Sequence, residues 1–214
     1  MRRSLRRSLA AFAVAVAISQ GGIGHATGAE SALTHDEESR LARGDDVVRP
    51  QTIERGSQRY VGGVAYVVVD APPAVVATTL ADPEAMRQIL PRTQSVAPVG
   101  MTGGDALYVL HQGTSFVHAE YTLRVRHEPD AGRMRFWLER SRPHAIDDAW
   151  GYFRWQPITT ARGPAVLVTY GILVDLGPGV VRSLYEERLR AMVLTVPRRL
   201  REYLERTPVR DRRT

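Results

Sequence analysis

GVVRSLYEERLRAMVLTVPRRLREYLERT, residues Gly179 to Thr207, is the stretch whose reading decides the fold. Apolar side chains recur at Val181, Leu184, Tyr185, Leu189, Met192, Val193, Val196, Leu200, Tyr203 and Leu204, steps of three and four that lay one broad stripe along a helix. The opposite face is charged. Glu186 with Arg190 and Glu202 with Arg206 stand four apart, acid before base, the order that adds about 0.2–0.5 kcal/mol per exposed pair. About seven turns make a rod roughly 40 Å long, and its apolar side needs a large partner surface. Pro197 lacks the N–H that would bond the Val193 carbonyl, so a kink is expected there rather than a break.

The partner is legible upstream. Gln94–Gly100, Ala106–Gly113, Phe116–His127, Arg133–Ser141, Asp148–Pro157 and Ala165–Asp175 read as strands, punctuated by turn residues at 102–105, 129–132 and 162–164. Connections this short join only antiparallel neighbours. Arg59–Asp70, with Tyr66-Val-Val-Val69 at its centre, is the first main strand. Pro72 or Pro73 then opens a helix running to Leu80, and Asp82 caps a second that begins at Pro83, runs to about Ile89 and is closed by Pro91. Nearer the N-terminus, Thr34 and Glu37 form a capping box for a short helix ending near Arg43, with Gly44 as its stop. Val47 and Val48 read as a short edge strand and Gln51–Ser57 as polar connection.

The fold class that follows is α+β, a curved antiparallel sheet of about seven strands wrapped on a long C-terminal helix, with two short helices after the first main strand. The domain map is a leader at 1–26, an N-terminal appendage at 27–57, the main domain at 58–207 and a basic, disordered tail at 208–214. A bent sheet and a straight rod cannot touch everywhere, so a gap is expected between them.

Composition narrows the function. The formal charge is +6, but without Arg2, Arg3, Arg6 and Arg7 of the leader 25 bases face 23 acids. Every base is Arg. The remainder is nearly balanced, at +2, and all-Arg usage fits a compositional bias better than a phosphate-reading surface, so no nucleic-acid partner is expected. Basic Met1–Arg7, apolar Leu9–Ile18 and Gly24-His25-Ala26 have the three parts of a secretory signal. The expected product, cut near Ala26 or Ala29, is periplasmic or extracellular. The apolar run is far shorter than the ~20 residues that span a bilayer. With no cysteine, disulfides, thiol chemistry and thiolate metal sites are excluded. No nucleophile elbow, phosphate-binding glycine loop or metal spacing is present, and no cofactor is expected.

Val67-Val-Val-Asp-Ala-Pro-Pro-Ala-Val-Val-Ala-Thr-Thr-Leu-Ala-Asp82, then Met86-Arg-Gln-Ile-Leu-Pro91, Gln94-Ser-Val-Ala-Pro-Val99 and Gly151-Tyr-Phe-Arg-Trp155 occur in that order. In this sequence of motifs, over about Arg59 to Thr207, the chain resembles the START-like superfamily, also called the polyketide cyclase, SRPBCC or helix-grip group. Val76 stands where many relatives carry Trp. The resemblance implies a central cavity for lipids, quinones, steroids or polyketides, and a shared shape more than a shared reaction.

Alternation assigns the cavity side chains. Tyr121, Leu123, Met134, Phe136, Leu138, Phe153 and Trp155 fall on the face turned to the helix, with Met192 and Val196 opposite them. Arg140 enters from the end of its strand, either to meet an anionic head group or to pair with Asp147 or Asp148 at the rim. Thr122, Arg124 and Glu139 fall on the solvent side, as do His118 and Glu120, which lack a third metal ligand. The aromatic outer positions Trp150 and Tyr152 call for a cover, from the N-terminal segment or a partner. The function expected is an exported carrier for an apolar small molecule such as a lipid, prenyl or quinone-like compound, in transient contact with a membrane. The alternatives are a cyclase- or dehydratase-type enzyme using the same cavity, and an interaction module with a solid interior.

Overall fold

The computed structural model describes residues 32–113, 118–177 and 182–207, the last without the side chains of 182–185. The leader, the tail and the first part of the C-terminal stripe, through Tyr185, lie outside the described side chains. Helix α1 (His35–Arg43) starts where expected. The Glu37 N–H donates to Thr34 Oγ1 (3.3 Å) and the Thr34 N–H donates to Glu37 Oε2 (2.8 Å). It stops at Gly44, whose φ of +92° suits a residue without Cβ.

Strand β1 (Val47–Arg55) then pairs with β2 (Gln58–Val69) through a turn at Gly56-Ser57. The expected polar connection at Gln51–Ser57 is therefore mostly strand. Being the edge, it needs only one ladder partner and one partly covered face, and an edge tolerates Pro50. Helices α2 (Pro73–Ala81) and α3 (Pro83–Ile89) follow, Asp82 capping α3 by accepting from the Glu84 N–H at 2.9 Å. Next come β3 (Thr93–Thr102), β4 (Asp105–Gly113), β5 (His118–Glu128), β6 (Arg133–Leu138), β7 (Asp148–Thr160) and β8 (Gly163–Asp175). The eight strands form one curved, unclosed antiparallel sheet in the order β1-β2-β8-β7-β6-β5-β4-β3. The one strand beyond the expected count is β1 in full. With α1 it belongs to the same compact unit, from Leu33 onward, as the rest of the described chain.

The C-terminal rod is two helices, α4 (Arg182–Val193) and α5 (Val196–Arg206). The expected kink is a break. The Thr195 N–H bonds the Met192 carbonyl at 3.2 Å, three residues back, and Pro197 offers no N–H, so a new helix starts with Pro197 in its first turn. The stripe survives the break. Val193 and Leu194 bury against Ala65, while Val196 and Leu200 enter the main core. The expected Glu186–Arg190 and Glu202–Arg206 pairs do not form. α4 lies beside β2, so Glu186 pairs with Arg59 (3.1 Å) and Arg190 with Glu187 (2.5 Å); Glu202 faces Arg198 at 3.9 Å.

The core fills the hollow between sheet and α5. Phe136, Phe153 and Tyr170 gather there, with ring centroids 4.6–6.3 Å apart, and Val76 is fully buried beside them. Gly151 makes this possible, since a Cβ there would stand 2.5 Å from the Phe136 ring and 2.4 Å from the Gly171 carbonyl. On the outer face, Leu33 and Leu41 cover Tyr66, Val68 and Leu167, so the N-terminal segment does shield part of it. Thr122 and Glu139, expected in solvent, are buried. Arg124 holds the Glu139 carboxylate at 2.5 Å and the Ser141 hydroxyl donates to it at 2.6 Å, which takes the place of hydration.

Candidate functional site: an apolar cleft between α3 and strands β3–β6

Where α3 leaves the sheet, an apolar cleft of about 30 Å³ opens toward solvent. Met86 and Leu90 of the α3 segment form one wall, Val96 and Tyr108 of β3–β4 the other, and Leu123 and Met134 the floor. The hydrophobic spacing of α3 and the pleat of β3–β5 aim these side chains at one another. No charged residue lines it.

Polar atoms ring the interior without carrying charge. Tyr121 Oη donates to Gln112 Oε1, and Gln112 Nε2 donates to Thr93 Oγ1 (2.8 Å) and the Pro91 carbonyl (3.2 Å), tying β5 and β4 to the segment after α3. Burial pushes the Tyr121 phenol far above its ordinary range, and burial with Tyr121 nearby does the same for Tyr170, which is 1% exposed. Both stay protonated. His127 lies under Trp155, ring centroids 5.7 Å apart, and its Nε2 is buried with no hydrogen-bond partner. Burial lowers its pKa, so the ring is neutral near pH 7. In the unfolded chain His127 titrates near 6.5, so the native state binds this proton less readily. Stability is therefore expected to fall as pH drops below about 6.5 and to level off below the lowered native pKa. His127→Phe should flatten that part of the profile, as read by urea midpoints between pH 8 and 5.

The residues expected from alternation divide among three places. Leu123 and Met134 line the cleft. Phe136, Phe153, Trp155 and Val196 are core beneath it, with Tyr121 packed against them. Leu138 lies in a second cluster with Ile146, Ala149 and Val174, where Leu189 of α4 packs. Met192 is half-buried. Arg140 sits at the rim, its side chain 59% exposed, and binds Asp148 at 2.6 Å; Tyr60 donates to the same carboxylate at 2.7 Å and its hydroxyl is pushed up to about 12, first by burial and then by Asp148. His118 and Glu120 are exposed, Glu120 lying 3.4 Å from His111 across the β4–β5 pair, and no group of three or more metal-binding side chains occurs among the described residues. The wall residues Met86, Leu90, Val96 and Tyr108 escaped the sequence reading, although the apolar steps of α3 and the alternation Tyr108, Leu110 were there to find them.

With this geometry in place, solved structures give the comparison. A STAR-related lipid transfer protein from Xanthomonas axonopodis superposes with a TM-score of 0.58 at 19% identity, over 75% of this chain and 93% of that one. The fold is the START-like, helix-grip fold. The Zhui aromatase/cyclase from a Streptomyces species matches with a TM-score of 0.52 at 19% identity, over 71% of this chain and 97% of that one. A protein from Thermus thermophilus matches at 0.54 and 18%, over 67% and 96%. No family model matches the sequence. No curated protein matches it either. The helix-grip architecture places a sheet's apolar hollow against a C-terminal helix, and here α5 and a dense aromatic cluster occupy most of that hollow.

Proposed function

We propose that the protein is an exported binder of an apolar small molecule, taken up through the cleft between α3 and β3–β6. The observation that carries this reading is the cleft itself, a charge-free apolar surface continuous from solvent to the Leu123–Met134 floor of the core. Two of the matched solved structures are described as a lipid transfer protein and an aromatase/cyclase, which supports an apolar guest. Export rests on the leader pattern of residues 1–26.

Drug-sized ligands occupy roughly 300–1,000 Å³, an order of magnitude more than the cleft encloses, so uptake requires α3 to move away from β3–β4. α3 suits this movement, being two turns long and bounded by Pro83 and Pro91. Desolvation at about 25 cal/mol per Å² of apolar surface supplies the driving force. Two ionisable groups converging on one reacting position would favour an enzyme. The interior groups described, Tyr121, Tyr170 and His127, are held neutral, which favours binding. Titration with N-phenyl-1-naphthylamine should give saturable fluorescence enhancement with one site per chain. Absence of any saturable signal, together with recovery of ligand-free protein by native mass spectrometry, would remove the reading.

A further inference from the structure

Among the described residues three buried side-chain atoms lack a hydrogen-bond partner: Asp46 Oδ1, Arg190 Nε and His127 Nε2. Two of them belong to groups that are satisfied in other ways. Asp46 Oδ1 stands 2.8 Å from Arg201 Nη2 as an ion pair, and Arg190 binds Glu187 and Thr52 through its terminal nitrogens at 2.5 and 2.7 Å. For His127 Nε2 no such second partner is present among the described residues, and its ring lies against Trp155. An imidazole nitrogen removed from water without a partner is unfavourable, and such groups persist where something else answers them.

Its position says what that something is. The pleat puts His127 on the same face of β5 as Leu123 and Val125, and the β5–β6 register sets it directly opposite Met134. Leu123, Val125 and Met134 all line the cleft. His127 therefore stands beside Met134 of the cleft floor, on the same face of the sheet and next to the residues that line the cleft.

We propose that His127 is a ligand-anchoring residue whose Nε2 hydrogen-bonds a hydroxyl or carbonyl group of an otherwise apolar guest, so that the cleft selects uncharged amphiphiles. This deepens the binding reading and rests on it. A neutral imidazole serves either kind of guest, since Nε2 accepts from a hydroxyl in one tautomer and donates to a carbonyl in the other. A carboxylate or phosphate is disfavoured at the same place. The lining is free of charge; the buried carboxylates Asp105, Glu139 and Glu186 are matched by Arg126, Arg124 and Arg59, and Asp175 accepts from the Arg59 and Gly177 N–H groups, all outside the cleft. An anion drawn into the cleft would have no counter-charge.

Isosteric guests test this directly. 1-Naphthol and 1-methylnaphthalene differ by a hydroxyl for a methyl at the same size, and 1-naphthoate carries the charge; each is titrated against bound N-phenyl-1-naphthylamine at pH 8. The wild-type chain should prefer 1-naphthol to 1-naphthoate by at least about tenfold. In His127→Phe, 1-naphthol should weaken by about tenfold while 1-methylnaphthalene changes less than about twofold, and His127→Gln, which keeps a polar atom in reach, should recover part of the loss. Equal weakening of naphthol and methylnaphthalene in His127→Phe would mean that the ring only packs, and the anchoring role would be lost. A wild-type chain that takes 1-naphthoate as well as 1-naphthol overturns the selectivity while leaving binding intact. A chain that binds none of the probes fails at the binding reading itself and takes the anchor with it.

Discussion

Phe153→Ala is expected to lower the unfolding free energy by about 3–5 kcal/mol and, in the same protein, to enlarge the range of guests the hollow accepts. Phe153 is 1% exposed, lies 4.6 Å from Tyr170 and 6.3 Å from Phe136 between ring centroids, and stands in the middle strands of the sheet. Its removal deletes a ring's worth of contacts that the neighbours, held by the sheet on one side and α5 on the other, cannot fully close over. Because a small domain has only about 5–15 kcal/mol of stability, the variant will be near its threshold, and urea midpoints at constant slope are the measurement. The residual void should approach the ~150 Å³ of apolar cavities that admit benzene, so uptake of 1-methylnaphthalene should strengthen in the folded fraction. A loss below about 1 kcal/mol would mean that the ring is not wedged as described, and that the hollow is already loose.

The second large effect is all-or-none. The natural chain has no cysteine, so Met86→Cys with Val96→Cys places the only two thiols of the molecule on opposite walls of the cleft. Oxidation to a disulfide should abolish probe uptake by pinning α3 to β3, and reduction should restore it. The lock acts on the movement and leaves the core residues in place, so the oxidised protein should be at least as stable as the reduced one. If the oxidised chain takes up N-phenyl-1-naphthylamine at the wild-type rate, the guest enters elsewhere, and the α4 side near Leu138 and Leu189 becomes the place to look.

Much of the fold was legible because its signals are local. The Thr34–Glu37 capping box, the Gly44 stop and the Asp82 cap are decided within four residues, and the structure reproduces each of them. Alternation on β5–β7 placed Leu123, Met134, Phe136, Phe153 and Trp155 on the buried face, since a period of two leaves no third choice. The C-terminal pattern was right in its face and wrong in its continuity. The stripe records which side is apolar, whereas whether Pro197 bends or breaks the helix depends on the bond Thr195 finds instead. The ion pairs failed for a related reason. Glu186 reaches Arg59 on β2, a residue 127 positions away, and no helical spacing encodes that choice.

By itself the sequence determined the order of elements, their antiparallel neighbours and the apolar character of the hollow, because turn chemistry and side-chain period act over short distances. The tertiary structure alone decided how that hollow is used. Side-chain volumes from β6, β7, β8 and α5 meet in one place, and their sum, which no local pattern states, closes most of the space and leaves the opening beside α3. It also decided which polar groups go unanswered. Tyr121 finds Gln112 and Glu139 finds Arg124 and Ser141, whereas the same packing leaves His127 Nε2 buried without a hydrogen-bond partner, beside Trp155 and opposite Met134 of the cleft floor.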